Sequence, residues 1–323
     1  MNESDDKLLY GKGNYFKKAL LLIRKFQYRQ RDIRRANKFD LVFIAREAFM
    51  TGTTRFEKAF SKSGARVVYD FDDAIWLNDT SDANKFFAWL KKPEKIEKSI
   101  AYADLIFAGN RYLADYALQF NKNVMVVPTT IDTNEYSKVE LNKPNDRIVI
   151  GWSGSLTTIK HFEFATPFLK KLKERFGEKI EFKVIGDGTY RNEELGIQGI
   201  AWNKRDEVQE LSGIDIGIMP LPDDPWAKGK CGLKGLQYMA LGIPTIMSPV
   251  GVNSEIIQHG NNGFLATETD EWVDIISSLI ADDDLRKRIG QAARNTVIDK
   301  YSVIANRELY LKAFDALLKF PKA

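Results

Sequence analysis

Residues 227–255 read AKGKCGLKGLQYMALGIPTIMSPVGVNSE, a glycine-bearing turn, an amphipathic helix, a buried strand and a second polar turn in immediate succession. Gly229 and Gly232 let backbone approach a ligand closely, and the amides that open the following helix carry partial positive charge suited to a diphosphate. Lys230, Cys231, Gly232 and Leu233 are therefore candidate binding residues. Leu233, Leu236, Tyr238 and Met239 give the helix an apolar face, Gly242 ends it, and Pro244-Thr-Ile-Met reads as a short buried strand. Gly251, Asn253 and Ser254 then form a turn that could hold a second ligand group. The plainer reading of the same stretch is an ordinary helix and strand of an α/β core.

Working outward, the pattern repeats. Strand-like runs begin at Asp40, Arg66, Asp104 and Asn123, with helical segments from Phe56 to Ser63, around Pro93 to Ala103 and around Tyr112 to Phe120. A polar segment from Pro128 to Asp146, rich in Thr, Asn, Lys and Pro, is the expected linker. The pattern restarts with strands at Arg147–Trp152, Ile180–Gly186, near Ile200 and at Ile214–Pro220, separated by helices over Glu163–Phe176 and Arg205–Ser212. Repeated βα units imply parallel sheets, and two such blocks imply two Rossmann-like domains facing a cleft, over 1–145 and 146–305, with ligands at the carboxyl ends of the strands.

Composition excludes several classes. With 323 residues, 44% of them hydrophobic and 28% charged, the chain is long enough for two cored domains. One cysteine, Cys231, allows no internal disulfide, and two histidines leave no zinc cluster, which points to a reducing, cytoplasmic setting without a metal. No run approaches a membrane span, and the acidic start MNESDD is unlike a signal peptide. A net charge of +4 and the lack of any nucleic-acid-binding motif argue against a nucleic-acid partner.

The positive charge is concentrated. Ten Lys and Arg lie from Lys12 to Lys38 against a single acid, Asp32, and they interleave with Phe16, Leu20, Leu22, Ile23, Phe26 and Ile33. Residues 11–38 thus form a basic amphipathic helix. Its apolar side could pack on a sheet, its charged side could rest on an anionic membrane surface, and the two uses are compatible.

Several motifs together resemble family 4 of the retaining GT-B glycosyltransferases. In the second half they are Gly154-Ser-Leu with Lys160, Val184-Ile-Gly186-Asp187-Gly188, Gln237-Tyr-Met-Ala-Leu-Gly-Ile-Pro, and Gly251-Val-Asn-Ser-Glu followed by Asn262-Gly-Phe-Leu. In the first half they are Ala45-Arg-Glu-Ala, Tyr69-Asp-Phe-Asp-Asp-Ala-Ile-Trp, Ala108-Gly-Asn-Arg-Tyr-Leu-Ala and Val127-Pro-Thr-Thr-Ile-Asp. The resemblance implies transfer of a sugar from a nucleotide-sugar donor to a glycan or lipid-linked acceptor, with anomeric retention and without a metal or other cofactor. It implies a role in building a cell-surface polysaccharide or glycolipid. It also implies that the first domain lacks its initial βα unit, and that a helix over 306–323 packs back on that domain.

The carry-over is uneven. Where the family has an arginine and a lysine on the donor diphosphate, this chain has Ser155 and Lys160. The family's paired glutamates, which the resemblance assigns to the donor sugar and the ribose, fall on Gly229 and Gln237. A neutral hydrogen bond contributes ~0.5–1.5 kcal/mol against ~1.5–3 for a charged one, so Gln237 would hold a ribose roughly tenfold more weakly. Lys230 or Lys234 could restore the charge lost at Ser155, and Lys234 is favoured. Lys160, Lys234 and the backbone from Gly229 to Gly232 are the candidates to stabilise the departing diphosphate. Asp70, Asp72 and Asp73 could orient an acceptor hydroxyl or stabilise the cationic sugar; capping and turn formation are the alternative. Arg46 and Glu47 stand beside them, with an internal salt bridge as their plainer use. These substitutions keep open a non-catalytic or weakly active sugar-nucleotide-binding protein of the same fold.

Overall fold

The computed structural model describes Asp5, Leu8 and residues 13–77, 94–139, 146–155 and 158–319. The expectations that touch the chain start, Gly11, Lys12, Pro93, residues 140–145, Leu156 and residues 320–323 lie outside the described residues. The chain divides into two compact units, Met1–Val127 with Leu309–Ala323, and Pro128–Glu308.

Among the described residues, the elements of the first unit from Tyr15 on are helix α1 (Tyr15–Arg35), β1 (Leu41–Ala45), α2 (Arg55–Ser61), β2 (Arg66–Phe71), α3 (Glu94–Tyr102), β3 (Leu105–Ala108), α4 (Arg111–Ala117) and β4 (Val124–Val126). All pairings are parallel and the strands lie side by side in chain order, Leu41 opposite Arg66, Val68 opposite Leu105 and Ile106 opposite Val124. Val67, Val68, Tyr69 and Phe71 are buried because helices cover both faces of a parallel sheet. Asn110 caps α4, its side chain accepting from the Leu113 amide at 2.9 Å. At the chain's end Leu309, Tyr310, Ala313, Phe314 and Leu317 pack on Val68, Phe107 and Val127.

In the second unit follow β5 (Ile148–Ser153), α5 (Ile159–Phe162), α6 (Thr166–Phe176), β6 (Ile180–Gly186), β7 (Arg191–Asn192), β8 (Ile197–Gln198), β9 (Ile200–Ala201), α7 (Glu207–Ser212), β10 (Ile216–Met219), α8 (Pro225–Lys228), α9 (Leu233–Ala240), β11 (Thr245–Met247), α10 (Asn253–Ile256), β12 (Phe264–Leu265), α11 (Thr269–Ala281) and α12 (Asp283–Thr296). The last helix, α13, runs over Val303–Leu318. Its main sheet has the order β12-β11-β10-β5-β6-β9, and every pairing in it is parallel. Counted from β5, the winding runs out to β9 on one side, returns and runs out to β12 on the other. That is the doubly wound Rossmann order, with its switch point between β5 and β10. The core is aliphatic and aromatic, and Phe168 on α6 stacks on Trp272 on α11 at 4.6 Å.

Two expectations change in detail. The helix expected over 163–176 begins as a 3-10 turn over Glu163–Ala165 and becomes α-helical only from Thr166, with Pro167 in the first turn of α6, since proline suits a helix start better than its interior. The first part of the polar segment 128–146 is not slack. The Ile131 amide donates to the Tyr301 carbonyl at 2.8 Å, Val303 donates to Ile131 at 3.1 Å, and Val139 donates to Ser212 Oγ at 3.1 Å. Buried Ile131 and the partly buried Tyr136 supply the apolar contacts that composition alone concealed.

Candidate functional site

Three backbone features shape the strand ends that border the switch point of the second unit. The Gly154 amide donates to the Ile185 carbonyl at 2.9 Å, so the end of β5 turns against the end of β6. A Cβ on Gly186, where φ is +144°, would lie 2.4 Å from the Gly154 carbonyl oxygen. Glycine at 186 is what lets its backbone meet that of Gly154, whereas a Cβ on Gly154 would instead run into the Trp152 ring at 2.1 Å. The third feature is α9. Gly232 precedes it at φ +73°, no side chain caps it, and its first turn holds no acidic residue. Its opening amides therefore present an uncompensated positive end.

Tyr238 fixes α9 to the sheet. Its hydroxyl accepts from the Ser153 amide at 2.6 Å and lies 2.8 Å from Ser153 Oγ, at the carboxyl end of β5. The ring crosses β10 over Gly217, where a Cβ would stand 2.6 Å from it. Burial drives the Tyr238 phenol well above its ordinary range, so the hydroxyl stays neutral. In the sequence Tyr238 reads only as part of an apolar face, and its polar anchor is visible only in the structure.

The other candidates divide by where they point. Ser155 and Lys160 are exposed beyond β5, with the Ser155 amide donating to Thr158 Oγ1 at 2.8 Å. Lys230 lies over the Trp226 ring at 4.8 Å, and buried Cys231 points its thiol to the Gly229 carbonyl at 3.7 Å. Asp187 accepts from the amide and hydroxyl of Thr189 at 2.8 and 2.6 Å, so its carboxylate shapes its own turn, while Gly188 packs on Ala201. Leu233 and Ser254 are exposed, but Asn253 is wholly buried and donates to the Ser248 carbonyl at 3.0 Å. Asn253 therefore supports the second turn from inside through its amide nitrogen, while its Oδ1 is buried without a hydrogen-bond partner.

Lys234 and Gln237 turn inward to a network that sequence did not announce. Gln237 Nε2 donates to the Tyr136 hydroxyl at 2.6 Å and to Glu207 Oε1 at 3.3 Å, and the Tyr136 hydroxyl donates to Glu207 Oε2 at 2.9 Å. Lys234 Nζ donates to Gln237 Oε1 at 3.2 Å and lies 3.9 Å from Glu207. Burial lowers the Lys234 pKa, and Glu207 opposes that shift. The favoured diphosphate cation is thus held on a carboxylate in this state, and the Gln237 amide is already bonded. Glu207 sits in a short helix of mixed pattern and Tyr136 in a polar segment, so neither carried a signal.

In the first unit, β2 ends in the acidic turn. Arg46, directly after β1, forks onto it, with Nε donating to Asp72 at 2.8 Å and Nη2 to Asp73. Arg46 has φ +60°, a costly backbone for a residue with a Cβ, held by its amide on the Asp70 carbonyl at 2.7 Å and by the Tyr69 hydroxyl on its own carbonyl. Burial pushes the Asp70 carboxyl up to about 6, the Asp72 charge adds to that, and Arg46 opposes it. Glu47 pairs with buried Lys95 at 2.9 Å. The salt bridges expected of Arg46 and Glu47 therefore exist, each with a different partner.

Residues 133–296 match the family model described as Glycosyl transferases group 1. The chain belongs to the group 1 glycosyl transferases. This group 1 glycosyl transferase is 25% identical over 199 residues to the N-acetyl-alpha-D-glucosaminyl L-malate synthase of Bacillus anthracis, covering 56% of this chain and 50% of that one. To the D-inositol 3-phosphate glycosyltransferase of Corynebacterium jeikeium it is 26% identical over 209 residues, covering 59% and 48%. The chain thus aligns with about half the length of the curated relatives it matches. Among solved structures, Anabaena Alr3699/HepE in complex with UDP and glucose superposes with TM-score 0.66 at 15% identity, over 94% of this chain and 83% of that chain. A glycosyltransferase from Rickettsia africae gives 0.67 at 16%, over 96% and 83%. At such identity the likeness establishes the fold, GT-B with two α/β units. All the donor-side candidates of this group 1 glycosyl transferase, from Gly154 to Ser254, fall inside the matched residues.

Proposed function

We propose that this chain transfers a sugar from a nucleoside-diphosphate sugar to a glycan or lipid-linked acceptor, with retention and without a metal, at an anionic membrane surface on the cytoplasmic side. The observation that carries the reading is the uncapped start of α9 beside the β5–β10 switch point, with no acid in its first turn. Such an end lowers the free energy of a diphosphate before and, more strongly, during bond cleavage, when the leaving group gains charge. Lys160 adds an exposed cation from the first turn of α5, just beyond β5, and Lys234 is the reserve cation, available if a ligand draws it from Glu207. The departing phosphate oxygen takes the proton of the acceptor hydroxyl, and the acidic turn of Asp70, Asp72 and Asp73 is the first unit's candidate for holding the acceptor. HepE was solved with UDP and glucose, which supports a nucleoside diphosphate sugar as the donor class.

The test is a thermal-shift screen against UDP, GDP, ADP, TDP and CMP and their common sugar conjugates, with and without EDTA, followed by donor-turnover assays. A diphosphate at a hundred times its dissociation constant adds about 2.7 kcal/mol to stability. A selective shift insensitive to EDTA, with turnover lost in Lys160→Ala, is expected. Binding without turnover for any acceptor would instead support a sugar-nucleotide-binding protein, a reading that the occupied Gln237 amide favours. No shift with any ligand would refute the donor site.

A further inference from the structure

Helix α1 has two different faces. Leu21 is buried and Leu22, Phe26 and Ile33 are partly covered, with Phe26 in edge contact with Phe49 and Phe56 at 5.7 and 5.0 Å. At 3.6 residues per turn the opposite face carries Phe16, Leu20, Ile23, Gln27, Arg31 and Arg34 in one line. Its first half is apolar and open, with Phe16 76%, Leu20 51% and Ile23 55% exposed. Its second half is cationic and exposed, with Arg31 and Arg34 in the line and Arg35 and Lys38 close by. The single stripe expected from sequence is therefore two, one packed on its own unit and one uncovered among the described residues. Isolated exposed apolar residues are ordinary, but a line of large ones along one helix, continued by cations, marks a surface for an amphipathic partner.

We infer that this outer face docks on an anionic lipid bilayer, with Phe16, Leu20 and Ile23 entering the boundary between headgroups and acyl chains and Arg31, Arg34, Arg35 and Lys38 meeting the phosphates. The inference rests on the membrane-side role proposed above and gives it residues. Charge complementarity selects this occupant. A second copy of the same cationic face would bring like charges together, whereas an anionic bilayer satisfies both halves of the line at once. The cations that sequence alone would have chosen are poorer tests, because Arg24 and Lys25 pair with Asp5 at 2.8 and 2.6 Å and Arg29 with Asp32 at 3.0 Å.

Membrane association is measured by co-sedimentation of the full chain with phosphatidylcholine vesicles, with and without phosphatidylglycerol. The unaltered protein binds the anionic vesicles, and each apolar side chain removed weakens partitioning about tenfold, so Phe16→Ser/Leu20→Ser/Ile23→Ser together loses on the order of a thousandfold. Its melting temperature and its response to nucleoside diphosphates stay unchanged, which separates this outcome from any failure of the donor site. Arg31→Glu/Arg34→Glu weakens binding about 25-fold or more and removes the preference for anionic lipid. Because the native Cys231 is buried, Leu20→Cys can carry an environment-sensitive fluorophore, whose emission shifts to the blue on vesicle addition. Equal sedimentation of the triple variant, an unshifted fluorophore, or self-association that the triple substitution abolishes would each overturn the inference.

Discussion

Asp70→Asn separates a functional carboxylate from a structural one. Burial, joined by the Asp72 charge and opposed by Arg46, raises the folded pKa from 3.8 to about 6. About two units at 1.36 kcal/mol each set an upper bound near 3 kcal/mol on the cost of the ionised group, and partial solvent access reduces the working figure to about 2 kcal/mol. The folded value lies above the unfolded one, so the native state binds the extra proton between about pH 4 and pH 6. The unaltered protein therefore loses this stability as pH rises through that window and keeps the loss at higher pH. The amide has no such proton to lose. Asp70→Asn is expected to raise the melting temperature by about 4–8 °C near neutral pH, with the gain shrinking to nothing by about pH 4, while transfer activity falls. Thermal denaturation of both proteins in steps across this range tests it. A variant that melts at or below the unaltered protein near neutral pH would refute the reasoning, since attraction to Arg46 would then outweigh burial.

The remaining predictions concern the scaffold of the two sites. Gly232→Ala forces a Cβ into a backbone at φ +73° and to 2.4 Å from Ile256 Cδ1; it should cost about 1–3 kcal/mol and weaken diphosphate binding, read by denaturation and calorimetry. Tyr238→Phe leaves the Ser153 amide without its 2.6 Å acceptor in a buried place and should lower stability by about 1–3 kcal/mol in a urea titration. Lys95 donates to Glu47 and to the Thr51 carbonyl at 2.9 Å each and lies 3.8 Å from buried Glu57. Lys95→Met should therefore cost about 3–5 kcal/mol, and adding Glu57→Gln should recover part of it.

The fold was legible because its signals were local and repeated. A four-residue run such as Ile216–Met219, buried throughout, has no other good use than a central parallel strand, and Gly232 and Gly242 bracket α9 at backbones that only glycine adopts cheaply. The location of the site followed from the order of strands, since a switch point is a property of topology. What stayed hidden was side-chain direction. Asn253 reads as a turn residue in sequence and is a buried brace in space, and Gly186, known from sequence only as part of a family motif, is a point of contact with the Gly154 backbone. Tyr136 gave no sign, because a tyrosine in a polar segment acquires its role only from Glu207 and Gln237, 71 and 101 residues away.

The same network gives a physical reason for the substitutions along α9. A glutamate at position 237 would face Glu207 across the 3.3 Å now bridged by a Gln237 donor, and two ionised carboxylates at that distance cannot both persist in a largely buried site. Glutamine removes the conflict by offering an N–H to Glu207 and a carbonyl to Lys234, so the charges of Lys234 and Glu207 balance locally. Replacing Gln237 by glutamate is then expected to destabilise the unit increasingly as pH rises and both carboxylates are driven to ionise. Gln237→Glu/Glu207→Gln should restore the balance by exchanging the two roles. Denaturation of the single and double variants across pH decides it: a double variant no more stable than the single one would show that Glu207 and position 237 do not act as a pair.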